Sequence, residues 1–224
     1  MTVGLAATLA ACAQTVAAPK DVLAARTGAE RDVDPAPGSP EAKAALALRL
    51  AAQARRDEDA RAMLVAARMM LGSGTRPARL EGERLTVDAG ADPVVTAWAR
   101  EAIALADGDE RLLSEAKALL EARPKGILAS SLGTGPLRYV RRIAANQEIA
   151  LDVRTEPMSA ARVAAIGDGD GRIGLNVSSG TISICAVDAR TTHSLCAWRA
   201  ETPEHRVVMS NAGPLASDVM LLSN

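Results

Sequence analysis

The chain has 224 residues, 26 Lys and Arg against 27 Asp and Glu, a net charge of −1, and 48% hydrophobic residues. This balance leaves no global field to gather nucleic acid or a strongly acidic partner, and the length allows one large or two small domains. Phenylalanine is absent and the aromatics are only Trp98, Trp198 and Tyr139, so nucleic-acid binding by base stacking, and sugar binding on flat aromatic faces, are not expected.

Residues 1–18 are apolar and small, with Val3, Leu5, Ala6, Ala7, Leu9, Ala10 and Ala11. The run is too short to span a bilayer and fits the apolar region of a secretory signal, although it lacks the positive residues that usually precede one. Two cleavage readings stand side by side. Leu9-Ala10-Ala11-Cys12 looks like a lipobox, which would make Cys12 a lipidated first residue and the chain's only link to a membrane. Ala11-Cys12-Ala13 fits the A-x-A pattern and would release a soluble product beginning at Gln14. Residues 19–38 carry charges and the prolines Pro35 and Pro37, with Pro40 just beyond, and read as a flexible tether.

A helical domain is expected over 39–126. Ser39-Pro40 is a cap followed by a proline at the first helical position, with Leu46 and Leu50 on one face. Asp57-Glu58-Asp59 breaks the chain and puts negative charge at the next helix start. Ala60, Met63, Leu64, Ala67, Met70 and Leu71 then follow helical spacing until Gly72-Ser73-Gly74. Residues 74–91 read as a long connection in which Arg84 to Val87 suits a short strand. Asp92-Pro93 repeats the cap-plus-proline start. Val94, Trp98, Ala102 and Leu105 form one stripe, Asp107-Gly108-Asp109 turns the chain, and Leu112, Ala116, Leu119 and Leu120 form the returning stripe before Pro124 and Gly126. Two helical hairpins result, as a small alanine-packed bundle or a weak internal repeat.

Residues 137–224 change period. Ile149, Leu151 and Val153 alternate with Glu148, Ala150 and Asp152, and Ile173, Leu175 and Val177 alternate with Arg172, Gly174 and Asn176. Successive strand side chains face opposite ways, so each run offers one apolar and one wet face. Glu156-Pro157, the glycine-rich run 167–171, Ser178-Ser179-Gly180 and Asn211-Ala212-Gly213-Pro214 supply turns. The spacing predicts an antiparallel sandwich or barrel. The whole is an α+β chain, helical hairpins first and sandwich last. Ile182 to Val187 and Leu195 to Arg199 read as arms of one hairpin, with Cys185 opposite Cys196. A non-hydrogen-bonded pair would bring the Cα atoms to ~4.5 Å, within reach of a disulfide contributing roughly 2–3 kcal/mol. Two buried free thiols are the alternative if the chain stays in a reducing compartment.

The run Val163 to Gly171, then Leu175-Asn176-Val177, Gly180, Ile184-Cys185, Cys196-Ala197-Trp198, Val207 to Gly213 and Leu222-Ser223-Asn224, resembles the bacterial pre-peptidase C-terminal (PPC)-like domain. The resemblance covers the last third of the chain. It implies a small jelly-roll-like β-sandwich with a non-catalytic accessory role in exported proteins. Arg172-Ile173-Gly174-Leu175 departs from the acidic run usual there, Arg199-Ala200 from the usual aromatics, and residues 219–221 lack a tyrosine.

Candidate sites are sparse. Asp168-Gly169-Asp170 resembles part of a calcium loop, but Arg172 follows and no glutamate closes it, so a solvated turn is the simpler expectation. Asp188 and Asp218 are further carboxylates. His193 and His205 have no recognisable nucleophile motif around them and read as surface histidines. Trp198 shares a strand face with Cys196, and Arg138, Arg141 and Arg142 form a basic cluster on what reads as a solvated strand face. No catalytic residue, metal or cofactor is expected. The leading expectation is an exported, non-enzymatic envelope protein, periplasmic or lipid-anchored, that binds or scaffolds a protein partner. The alternative is an envelope hydrolase with a site between the two domains, using His193 or His205.

Overall fold

The computed structural model describes residues 35–122 and 135–224. The expected signal segment, Cys12, the expected tether before residue 35 and the expected stops at Pro124 and Gly126 lie outside the described residues.

Side-chain caps fix the starts of the four described helices. α1 (Pro40–Arg56) begins where Ser39 Oγ accepts from the Ala42 N–H at 3.1 Å. Asp59 caps α2 (Ala60–Leu71), Asp92 caps α3 (Pro93–Leu105) and Asp109 caps α4 (Glu110–Glu121), each carboxylate accepting backbone N–H groups of the first turn. Such caps satisfy donors that the helix itself cannot pair. Both acidic turns reverse the chain through the left-handed region, at Glu58 (φ +52°), and at Asp107 and Gly108.

The helices touch in order, α1 on α2, α2 on α3, α3 on α4, with α2 also reaching α4. Their core is mostly alanine: Ala44, Ala47, Ala51, Ala66, Ala67, Ala99 and Ala116 are wholly buried, with Met63, Leu64, Met70 and Trp98 among them. Leu46 departs from expectation, being 57% exposed. The buried stripe of α1 is Ala44, Ala47, Leu48 and Ala51 instead, because methyl side chains let neighbouring backbones approach closely.

Ten strands follow or interrupt the helices: β1 (Arg76–Glu81), β2 (Arg84–Val87), β3 (Leu137–Ile143), β4 (Gln147–Arg154), β5 (Ala160–Gly167), β6 (Ile173–Ser179), β7 (Ile182–Val187), β8 (His193–Arg199), β9 (Glu204–Asn211) and β10 (Ser217–Ser223). They run in the order β7-β6-β9-β4-β2-β1-β3-β10-β5-β8. The eight C-terminal strands divide into two four-stranded halves, β3-β10-β5-β8 and β7-β6-β9-β4, every pair within each half being antiparallel. Between β3 and β10 the chain changes half at each step except the β6–β7 hairpin, which is a jelly-roll path. The expected α+β arrangement of helical hairpins followed by an antiparallel sandwich is therefore present.

The alternating residues fill the sandwich interior. Leu151, Val153, Ile173, Leu175, Val177, Val207 and Met209 from one half meet Ile143, Val163, Ala165, Val219 and Leu221 from the other. The β3-β10-β5-β8 half is covered on both faces. Its outward Ala164, Ile166, Leu195, Met220 and Leu222 belong to the helical core. That is why β5 and β10 read as near-continuous apolar runs rather than alternating ones.

The segment between α2 and α3 is a hairpin belonging to the sheet. Gly82 (φ +65°) takes the turn position that favours glycine. At its base β1 pairs parallel with β3, at Arg76↔Leu137 and Pro77↔Arg138. Near its tip β2 pairs parallel with β4, at Arg84↔Asp152. The hairpin thus crosses one lateral side of the sandwich, bonded to one half at its foot and to the other at its head.

The other lateral side carries the disulfide. Cys185 and Cys196 are bonded, with Cα atoms 6.1 Å apart. Their pairing is as expected and their setting is not. β7 pairs with β6 and β8 with β5, so the cysteines are not partners in one hairpin ladder. The bond joins the two outermost strands of the ten, one from each half.

Candidate functional site

A groove of about 400 Å³ lies between α3, β1 and β3, with Arg55 of α1 and Asp218 of β10 at its rim. It follows from the hairpin's diagonal course. Beyond Pro77 and Arg138 the β1–β3 pairing stops, and β1 continues as the antiparallel partner of β2 alone, from Ala78↔Val87 to Glu81↔Arg84. The two strands diverge and the groove fills the wedge.

Its apolar lining includes Ala78, Leu80, Val94, Ala97, Tyr139 and Val140. Trp98 and Tyr139, two of the chain's three aromatics, stand here, Trp98 buried to 3% exposure. Arginines dominate the polar lining: Arg55, Arg79, Arg138, Arg141 and Arg142, against Asp88 and Asp218. A mostly apolar cleft with a few placed polar groups, at the junction of two layers, has the general character of a binding site.

The arginines differ in how far they are committed. Arg138 is corrected from the expected solvated strand face: its side chain is wholly buried. It donates to an Asp92 carboxylate oxygen, to Thr75 Oγ1 at 3.0 Å and to the Met70 carbonyl at 3.4 Å. Since Asp92 also caps α3 through the Val94 and Val95 N–H groups, this one pair locks β3 to two helices. Arg55 grips Glu101 through two hydrogen bonds of 2.6 and 3.0 Å and reaches Asp218 at 2.9 Å. Burial alone would lower the Arg55 pKa, but the hydrogen bonds and charge of Glu101, then of Asp218, carry it above the ordinary value. Asp218 also accepts from Arg142 at 3.4 Å, and Arg79 pairs with Glu81 at 2.7 Å. Arg141 is exposed, and among the described residues it faces no carboxylate within salt-bridge distance.

The remaining candidates are dispersed. The expected solvated turn is corrected at Asp168, which is 5% exposed and accepts from Ser217 Oγ at 2.6 Å and from the Asp218 N–H at 2.9 Å. Asp170 pairs with Arg56 across to α1. These two carboxylates therefore tie the glycine-rich turn to β10 and to the helices. Asp188 pairs with Arg190 at the surface. His205 is corrected from the expected surface position: it is buried, with Nε2 3.0 Å from Thr155 Oγ1 and its ring edge-on to Trp198 at 5.1 Å. Trp198 lies with Cys185 and Cys196 in the sandwich core, and His193 opens β8 opposite Ile166. Neither histidine lines the groove.

The hairpin is the part of the groove that sequence reasoning missed. Leu80-Glu81-Gly82-Glu83 is a hairpin turn signal, but Pro77 and the charged flanks make the region look like a loop.

No protein-family model and no curated protein matches the sequence. Among solved structures, the pre-peptidase C-terminal domain of collagenase from Bacillus anthracis is similar at TM-score 0.35 and 4% identity, covering 39% of this chain and 87% of that one. A de novo designed double-stranded β-helix, solved by solution NMR, is similar at TM-score 0.27 and 11% identity, covering 39% and 97%. At these scores the jelly-roll description rests on the strand order rather than on either likeness.

Proposed function

We propose that this chain is a non-catalytic exported protein of a bacterial envelope, periplasmic or lipid-anchored at Cys12, that binds a protein partner through the groove between its helices and a PPC-like sandwich. The observation that supports binding over catalysis is the groove's lining. A hydrolytic site would place a histidine and a nucleophile in one cleft. Among the described residues the lining instead offers arginines around an apolar floor, with neither histidine, serine, threonine nor cysteine in it. The buried disulfide supports export, since such bonds persist in oxidising compartments.

The test is a photo-reactive benzoylphenylalanine in place of Arg141, in the full chain expressed in its native envelope. The same group at Asn176, exposed on the outer face of β6, serves as control. A discrete protein adduct from position 141 and none from 176 is the expected result. Equal or absent labelling at the two positions refutes the groove as the binding surface. The intact mass of the recovered chain separately reports signal cleavage, acylation of Cys12 and the two-hydrogen deficit of the disulfide.

A further inference from the structure

Two of the groove's walls are strand edges, and each has a fixed backbone direction. The Arg76 N–H donates to the Pro136 carbonyl at 2.8 Å, so the main chain of residue 136 faces β1. Backbone groups alternate sides along a strand with a period of two, so those of Arg138, Val140 and Arg142 face the same way. The opposite edge of β3 belongs to β10. There the Asn224 N–H donates to the Arg162 carbonyl, and the Arg162 N–H donates to Asn224 Oδ1. Even-numbered β10 residues thus face β5, leaving odd-numbered ones for Leu137, Tyr139, Arg141 and Ile143 of β3. On the other wall the Asp88 N–H donates to the Pro77 carbonyl, so odd-numbered β1 residues face β2. Ala78 faces β3 but its N–H closes the Pro77–Arg138 pair, since proline has none to give, so on this wall the backbone groups of Leu80 face the gap. Beyond Pro77 and Arg138 no described strand pairs with either edge.

We propose that the groove is a vacant strand position, filled by an extended, carboxylate-bearing segment of a partner protein that hydrogen-bonds to Val140 and Arg142 on one side and Leu80 on the other. The proposal rests on the groove being the binding surface. Strand addition draws affinity from main-chain bonds and specificity from alternate side chains. Leu80, Ala97 and Tyr139 offer apolar contact. Arg141, the groove arginine left without a carboxylate among the described residues, favours an acidic residue on the incoming strand over a basic one.

The probe is a blocked pentapeptide alternating valine and glutamate, compared with its lysine counterpart and with a form N-methylated on alternate amides, added to the full chain. Hydrogen exchange at the Val140 and Arg142 amides should slow about tenfold at saturation, as a new backbone bond requires. Arg141→Glu should weaken the glutamate peptide about tenfold and favour the lysine peptide. Val140→Pro should abolish binding yet keep the fold, because the lost N–H faces the gap rather than β10. If that variant does not fold, loss of binding by the N-methylated peptide reads out the same bond.

The proposal is overturned if the glutamate peptide does not bind, if it binds without protecting the two amides, or if the N-methylated form binds as well. Slow exchange of both amides in the free chain overturns it too, since the chain itself would then fill the position. An adduct at position 141 combined with any of these results leaves the groove as the binding surface and removes only strand addition.

Discussion

The sandwich has two lateral sides, and they are closed by different chemistry. On one, β7 and β8 are joined by a buried covalent bond, Cys185 at 2% and Cys196 at 0% exposure, with Trp198 in the same core. On the other, β3 and β4 are bridged by a hairpin that holds two register pairs at its foot and one near its head. Its head is tied down by surface ion pairs, Arg206 with Glu83 and Asp152, and Arg84 with Glu204. Such exposed pairs are weak and screened by salt. The non-covalent side leaves the groove. A fold that spends its rigid closure on one side keeps an adaptable edge on the other.

The largest effect should come from the buried pair that anchors the non-covalent side. Arg138→Ala strands the Asp92 carboxylate against buried groups of α2 and β3, and should cost about 3–5 kcal/mol in urea denaturation. Pairing Arg138→Met with Asp92→Ser, which removes both charges and keeps a cap for α3, should recover most of that loss. If the single and double variants prove equally unstable, the pair is not what holds the helices to β3. Next in size is the covalent side. Replacing Cys185 and Cys196 together by alanine should cost about 2–3 kcal/mol by the loop-entropy argument. Because the bond joins opposite halves, hydrogen exchange should rise in both β7 and β8 while β1 and β2 stay unchanged. A rise confined to one strand would contradict the lateral closure.

The sequence announces strands more readily than their partners. Ile149-Leu151-Val153 and Ile173-Leu175-Val177 show by alternation which residues face inward, and Leu151, Val153, Ile173, Leu175 and Val177 are indeed buried. Alternation is local, however, and says nothing of which strand lies alongside. Two cysteines separated by a short turn-like segment suggest a hairpin, whereas each of their strands pairs with a neighbour outside that segment. The apolar runs of β5 and β10 do betray cover on both faces, and so point to the helices resting on this half. Arg138 is hidden for the opposite reason. Its partner Asp92 reads as a helix cap, which it also is, and a single residue in two roles leaves one signal. The groove depends on where β1 parts from β3, a matter of tertiary register that no local pattern encodes.

A smaller effect tests whether the covalent side is as dry as its packing indicates. Burial lowers the His205 pKa below its ordinary value of 6.5, opposed in part by the Thr202 backbone. The unfolded chain then binds the extra proton first as pH falls. Stability should hold above about pH 6.5, decline as pH drops below it, and level off once the folded histidine also protonates. Thermal melts between about pH 7 and 5 should show this slope, and His205→Gln should flatten it. A slope unchanged in the variant would assign the acid sensitivity elsewhere and imply that water reaches the ring.

The smallest expected effect on stability is at Arg141, and it decides how the two sides differ in kind. Among described residues this side chain makes no ion pair, and it is exposed, so Arg141→Glu should shift unfolding by less than about 0.5 kcal/mol. The neighbouring Arg55, held between Glu101 and Asp218, should cost more when truncated, because its removal leaves two carboxylates facing each other across the rim. If Arg141→Glu proves as destabilising as the loss of Arg55, then Arg141 belongs to the framework and the non-covalent side is closed by charge throughout. If it is neutral to folding, Arg141 is no part of the framework, and the two sides differ in kind: one closed covalently, the other carrying an uncommitted cation beside the groove.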